Sequence, residues 1–407
     1  MTLSTTEQRL CGIIEARADA LLDDLKRHVG IATGPGGKAG LDETREVFIG
    51  RLRALGARID LKPGDPKPDW LLGGDRAGAV PPAAVCTRPT SNGTPPTVLI
   101  AGHLDTVHEA ASGFCSLNIA PDGETATGPG CVDMKGGLVI AMAALESLQQ
   151  AGLDTAWTFI LTSDEETGSF HSARALREQA ARHEFGLVLE PALAGGELAI
   201  ERMGSGQFMI EARGKAAHVG RAFTQGVSAV TALAKAVVAV SEMPEPDQGR
   251  ILSVGPLTGG TATNAVPDLA RAWGNCRFTT RQDAAHIARM LDDLQTPGDQ
   301  LPSVRLRRVF NRPAKPLTDE TEALALRARA VAEDLGQKLP FAATGGVCDG
   351  NILQDAGLAT IDTLGVRGGG LHTSSEWIEL PSLVERCKLL AVLIHRLSTD
   401  APDTGGA

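Results

Sequence analysis

Four short apolar runs constrain this chain more than any other feature: TVLIA (97–101), WTFILT (157–162), GLVLE (186–190) and LATID (358–362). Each has the length of a strand, and MKGGLVIAMAALESLQQAG, between the first two, reads as a helix closed by a glycine. Strands that alternate with helices imply a largely parallel sheet, because a parallel pair needs a crossover long enough to hold a helix. The expected fold class is therefore α/β.

The fourth run stands apart from the other three. Between them, SGQFMIEARG, RILSVGPL, LARAWGNCRFTT and SVRLRRVF read as strands, while SAVTALAKAVVAVSEM and RQDAAHIARMLDDL read as helices. Their order, βαββαβ, is the split βαβ plan of a small α+β unit. The expected division is a first part of the larger domain at 1–202, an insertion at 203–313, and a second part at 314–407. Upstream, 5–28 has helical spacing, GPGGKAG breaks the chain, and 42–56 reads as a second helix. The Pro-rich stretch from 63 to 96 is expected to hold loops and short strands, and the tail STDAPDTGGA to fray.

Composition narrows the partners. The 39 Lys+Arg and 49 Asp+Glu leave a net charge of −10, which argues against nucleic acid or an anionic membrane surface. No apolar run approaches the roughly 18 residues of a membrane span. The first 28 residues mix charges among their apolar positions, unlike a secretory leader. Seven scattered cysteines form no CxxC pair, so a reducing, cytoplasmic setting is expected rather than a disulfide framework or a cysteine-zinc site.

Open α/β sheets gather ligands at the carboxyl ends of their strands, so the residues that follow each run matter most. TVLIAG leads into His103 and Asp105, WTFILTS into Asp164, Glu165 and Glu166, and GLVL into Glu190. GPGCV delivers Asp133 just before the helix that begins near Lys135, and GVRGGGL delivers His372. Anions crowded in this way repel one another unless a cation lies among them. Two imidazoles and three carboxylates, one of them shared, make two N/O sites for divalent metal. Imidazole disfavours a pure Mg²⁺ or Ca²⁺ site, so Zn²⁺ is expected, with Co²⁺ or Mn²⁺ as alternatives.

AGHLDTV, GPGCVDMKGG, TSDEETGSF, LEP, GKAAHVG, TATNAVP and GGGLHTSSE follow one another between about 97 and 380. This set resembles the dizinc amidohydrolase and metallopeptidase superfamily of glutamate carboxypeptidase (carboxypeptidase G type), acetylornithine deacetylase, succinyl-diaminopimelate desuccinylase and aminoacylase. EETGSF followed by LEP is most similar to the glutamate carboxypeptidase branch. The resemblance implies a zinc-peptidase-like α/β/α catalytic domain with an inserted ferredoxin-like lid that also dimerises. It implies two Zn²⁺ ions, one held by His103 and Glu190, the other by Glu166 and His372, with Asp133 bridging. Asp105 would accept the other ring N–H of His103, Glu165 would be the general base, and the Asp133–Met134 peptide would be cis.

In the lid, the resemblance implies that His218 reaches the partner subunit's site and stabilises the oxyanion, and that Asn264 binds substrate. Arg312 would receive the substrate carboxylate, and Arg277 would also reach substrate. Arg277 closes Asn-Cys-Arg where the family usually has Asp-x-Arg, so Asn275 removes the acid of its usual salt bridge. The implied activity is hydrolysis of an amide beside a free carboxylate by a cytoplasmic homodimer, as a carboxypeptidase releasing a glutamate-like C-terminal residue. An N-acyl-amino-acid deacylase acts on the same bond type. An idle dimeric homologue that binds a small carboxylated or peptide-like ligand is the alternative of another class.

Simpler readings compete for several of these residues. Asp133 is also placed to cap the helix that follows it, and Arg277 and Arg312 stand near Arg305, Arg307 and Arg308 as candidate solvated cations. Cys131 is expected to pack rather than ligate, and His108, His171 and His183 are expected at the surface. A serine hydrolase lacks its GxSxG elbow, and GPGGKAG follows no convincing strand that would make it a phosphate loop.

Overall fold

The computed structural model describes residues 2–74, 79–297 and 300–399. Its larger sheet has six strands in the order Arg58–Lys62, Ala83–Arg88, Trp157–Thr162, Val98–His103, Phe185–Val188 and Ala359–Ile361. The last four are parallel and are the four apolar runs. Arg58–Lys62 and Ala83–Arg88, the latter from the Pro-rich stretch, add an antiparallel edge.

Side chains that alternate along each strand feed two cores. Val98 and Ile100 pack with Leu10, Phe48, Leu138 and Leu390 from helices on one face, whereas Leu99 and Ala101 pack with Leu176 and Ile352 on the other. The result is the α/β/α layering expected. Burial of each such Leu or Ile contributes about 1.5–3 kcal/mol.

Helix limits differ from the sequence reading in three places. The stretch 5–28 is two helices, Thr5–Glu15 and Ala18–Val29, the first opened by a capping box between Ser4 and Glu7. The helix expected over 42–56 spans Lys38–Ala54. Asp133 does not cap the Gly136–Gln150 helix. It lies in the irregular turn Cys131–Lys135 at φ −115° and ψ 94°, and the Asp133–Met134 peptide is cis.

The inserted stretch forms an antiparallel sheet in the order Ile251–Gly259, Leu269–Phe278, Gly204–Arg213 and Ser303–Arg312. Helices Ala229–Ser241 and Arg281–Asp292 pack on one face, through Phe208, Ile210, Leu233, Val240, Ile287 and Leu291. This core shares no residue with the other two. The opposite face carries Met209, Glu211, Arg271 and Trp273, and Trp273 Nε1 donates to the Trp70 carbonyl at 2.8 Å.

The chain enters this unit at Arg202 and leaves it at Lys315, and their backbones exchange hydrogen bonds of 2.8 and 2.9 Å. The buried Asp362 carboxylate accepts from Arg202 at 2.9 and 2.7 Å and lies 3.3 Å from Lys315 Nζ. A hairpin of Gly368–Gly369 and Trp377–Glu379, unforeseen in the sequence, pairs with Thr125–Thr127. Among the described residues no helix is long and apolar enough to cross a membrane. The last helix, Pro381–Thr399, includes the first two residues of the tail expected to fray, and the rest of that tail lies outside the described residues.

Candidate metal centre

Three neighbouring parallel strands end side by side, and their continuations form the site. His103 closes Val98–His103 directly opposite Thr162. Glu165 and Glu166 follow the strand on one side of it, and Glu190 follows the strand on the other. Asp133 arrives from the turn before Gly136–Gln150, and His372 from the turn joining Gly368–Gly369 to Trp377–Glu379. His372 sits at φ 62°, a left-handed conformation that histidine adopts more readily than most residues.

These side chains form two groups that share Asp133. One is His103, Asp133 and Glu190, and the other is Asp133, Glu166 and His372; in each, one ligand atom per residue lies within 4.8 Å of the others. His103 Nε2 is 3.3 Å from Asp133 Oδ1 and 3.8 Å from Glu190 Oε1. His372 Nε2 is 3.6 Å from Asp133 Oδ2 and 3.3 Å from Glu166 Oε2. The two Asp133 oxygens therefore face different groups. Glu190 Oε1 is buried without a hydrogen-bond partner, a costly condition unless a cation reaches it. Mixed imidazole and carboxylate donors in this arrangement fit a pair of divalent cations.

The electrostatics agree. Burial raises Glu190 well above the usual carboxylate range, and His103 only partly offsets it. Burial also raises Glu166, against a hydrogen bond from His372. In Asp133 burial works upward too, but His103 and His372 outweigh it and hold the carboxyl well below the ordinary range. Contacts with Asp133 and Glu166 push His372 up to about 10. In His103 burial opposes the charge, yet Asp105 and Asp133 raise it well above its usual value.

Two residues act differently from expectation. His103 Nδ1 lies 2.9 Å from the carbonyl oxygen of Asp105 and 3.5 Å from its carboxylate, so the carbonyl makes the closer contact. The Asp105 carboxylate instead accepts the backbone N–H groups of Glu165 at 3.1 Å and Glu166 at 2.9 Å, and so fixes the turn that carries both. Arg312 is only 2% exposed, and its terminal nitrogens already hold carboxylates: Nη2 donates to Glu165 Oε1 at 2.6 Å and Nη1 to Asp349 Oδ1 at 2.7 Å. This corrects the expectation that Arg312 receives a substrate carboxylate. Burial pushes Glu165 up to about 8, against the pull of Arg312.

Asp349, which also accepts from Thr162 Oγ1 and Ser169 Oγ, escaped the sequence reading. It opens a short helix rather than following a strand, so no local pattern marks it.

The candidate residues of the inserted unit belong to neither group. Arg277 stands opposite Ser205 in the sheet register, and among the described residues it makes no ion pair. Its Nη1 is buried without a hydrogen-bond partner. Burial, and the neighbouring Arg312 cation with it, hold its guanidinium below the ordinary range. Asn275 supplies no charge and reaches only Ser205 Oγ, at 3.4 Å. His218 and Asn264 meet each other in a small ribbon, where Ala217–His218 pairs with Ala265–Val266 and Val219 N–H donates to the Asn264 carbonyl at 3.0 Å. His218 is exposed, and its Nδ1 accepts from Gly220 N–H. Neither contacts the two groups within one chain.

The histidines expected at the surface are half-buried and bonded. His108 meets Glu376, His171 accepts from Gly64 N–H, and His183 bridges the Gln179 carbonyl and Thr158. Cys131 is buried in neither group, as the packing reading expects.

Fold and donor set together define an α/β protein with metal-competent strand ends and an inserted α+β unit. Comparison with known proteins places it further. Residues 99–396 match the peptidase family M20/M25/M40. The chain is 25% identical over 385 residues to carboxypeptidase G2 of a Pseudomonas species, covering 93% of this chain and 89% of that protein. It is 30% identical over 288 residues to succinyl-diaminopimelate desuccinylase 2 of Shewanella loihica, covering 66% of this chain and 76% of the relative. A tripeptidase structure from Staphylococcus aureus superposes with a TM-score of 0.76 at 21% identity, over 94% of this chain and 99% of the other. The chain belongs to the peptidase family M20/M25/M40 and is a hydrolase, which sets aside the idle ligand-binding alternative.

Proposed function

We propose that this hydrolase is a dizinc enzyme that cleaves an amide beside a free carboxylate, as a carboxypeptidase releasing a C-terminal residue such as glutamate. One observation carries the reading: Asp133 turns its two oxygens toward two His/carboxylate groups, with half-buried Glu165 beside them. His103 and Glu190 would hold one ion, Glu166 and His372 the other, and Asp133 both. Zn²⁺ there, or Co²⁺ or Mn²⁺ in its place, would polarise the amide carbonyl and lower the pKa of water.

Glu165 takes the proton of the attacking water and returns it to the leaving amine. Arg312 occupies Glu165 Oε1 and leaves Oε2 without a hydrogen-bond partner among the described residues. Divalent cations nearby would lower the raised pKa of Glu165 and keep it ionised at neutral pH.

Substrate recognition falls to Arg277, a lid cation whose Nη1 is buried without a hydrogen-bond partner and whose planar fork suits a carboxylate. Similarity to carboxypeptidase G2 over most of both chains supports a carboxypeptidase. A deacylase of N-acyl amino acids is the second reading, supported by the desuccinylase likeness.

The same reading takes 203–313 as a lid and dimerisation domain between 1–202 and 314–407. Exposed Phe223, Val230, Val238 and Leu257 on its flank support a homodimer, in which His218 and Asn264 would reach the partner subunit's site. Seven free cysteines, six of them buried, suit a cytoplasmic setting.

The test is a panel of peptides ending in glutamate, their C-terminal amides, and short N-acyl amino acids, incubated with zinc-loaded protein and read by mass spectrometry. Release of glutamate from the free acids but not the amides is expected. Turnover of the N-acyl amino acids alone would make it a deacylase, and cleavage of none would contradict the proposal.

A further inference from the structure

The turn that carries His372 is tied down by a residue outside both metal-competent groups. Glu376 closes that turn and is 1% exposed, and its carboxylate is saturated by four donors. Oε1 accepts from the backbone N–H groups of Val132 and Asp133, each at 3.0 Å. Oε2 accepts from Gly130 N–H at 2.9 Å and lies 2.6 Å from His108 Nε2. The Glu376 carbonyl accepts from Gly128 N–H at 3.1 Å. A carboxylate offers about four acceptor positions, so none is left for an ion.

The three segments joined here bring three of the five ligands, His103, Asp133 and His372. His108 belongs to the loop after His103, residues 130–133 carry Asp133, and 370–376 carries His372. Within 370–375 the other hydrogen bonds are local to the turn, from Thr373 to Gly370 and from Ser375 to Thr373, and the His372 side chain is 56% exposed. The flanking strands pair with each other at Gly368–Ile378 and Gly369–Trp377, and Trp377–Glu379 pairs with Thr125–Thr127, which holds the base of the hairpin but does not reach the Asp133 turn. The His372–Asp133 separation of 3.6 Å therefore depends on how the base of the turn is anchored. We infer that Glu376 is a positioning residue: it locks the His372 hairpin to the Asp133 turn, with His108 as its third anchor, and so sets the geometry of the Asp133–Glu166–His372 group. The inference rests on the metal-centre reading given under Proposed function.

Glu376→Gln in the full chain tests it, because the amide places a donor where one of the backbone N–H groups needs an acceptor. Zn²⁺ dissociation constants are measured by chelator competition, and Co²⁺ absorption reports the coordination geometry. Binding of the more weakly held ion should fall about 10–100-fold, as for other residues that orient metal ligands, and the Co²⁺ spectrum should change. The same replacement in a His372→Ala background should cost less, because the ligand being positioned is already gone. Losses that simply multiply in the double variant would overturn the inference, as would unchanged affinity for both ions. A wild-type chain that binds no metal would instead overturn the function proposed above. Should Glu376→Gln not fold, Glu376→Asp keeps the charge, withdraws the carboxylate by one methylene, and carries the same expectations.

Discussion

Arg312→Met removes the cation that joins the half-buried Glu165 carboxylate to the buried one of Asp349. Arg312 contacts Glu165 at 2.6 Å and Asp349 at 2.7 Å, and all three side chains are at most a tenth exposed. Loss of one partner from a buried ion pair costs about 3–5 kcal/mol. Protonation limits that cost, because burial already pushes Glu165 up to about 8 and the variant raises it further. A carboxyl whose folded pKa lies above its unfolded value binds protons more tightly when folded, so stability falls as pH rises between the two values. Below pH 8 both folded forms keep Glu165 protonated and the deficit should be nearly constant; above it the deficit should widen, by at most about 1.4 kcal/mol per pH unit, so that it is larger at pH 9 than at pH 6.

Urea unfolding of the metal-stripped chain at both pH values measures this. Steady-state kinetics should show kcat falling with KM nearly unchanged, because Glu165 loses its aim rather than the substrate its anchor. A deficit independent of pH, or a large rise in KM at constant kcat, would refute the reasoning and return Arg312 to carboxylate recognition.

Other consequences are equally direct. Arg277→Met should raise KM at least about tenfold with little change in kcat, the size of a lost charged hydrogen bond; an unchanged KM would remove Arg277 from substrate recognition. His218→Ala and Glu165→Gln should each be nearly inactive alone but regain part of the activity when their subunits are mixed, and no recovery would contradict a site completed across the dimer. In Glu7 burial works upward, but Arg396 and Ser4 outweigh it and hold the carboxyl at about 2 rather than 4.5. Its contribution is thus present above pH 4.5 and lost as pH falls toward 2. Glu7→Gln should lower stability at pH 7 by up to about 3 kcal/mol and narrow the difference as pH falls to 2, as urea titrations would show.

Much of the architecture was legible because local pattern and burial coincide. The four apolar runs became the parallel strands, since residues buried on both faces must be continuously apolar, and βαββαβ became the four-stranded sheet of the inserted unit. The strand-end rule brought His103, Glu166 and Glu190 to one edge, where Asp133 and His372 join them. What the sequence hid depends on contacts between distant segments. Arg312 meets Asp349 across 37 residues and Glu165 across 147, and Glu376 reaches 130–133 across more than 240. The role of Asp105 also shifted, because the backbone of its own turn lies nearer the His103 ring than its carboxylate does. Strands of two or three residues such as Gly368–Gly369 carry too few side chains to show a period.

Metal stoichiometry decides the account most directly. After loading with zinc and removal of free ions, elemental analysis should find two zinc ions per wild-type chain, and fewer than one in Asp133→Ala, because both groups lose their common oxygen donor. A wild-type chain holding at most one ion, or an Asp133→Ala chain still holding two, would contradict it.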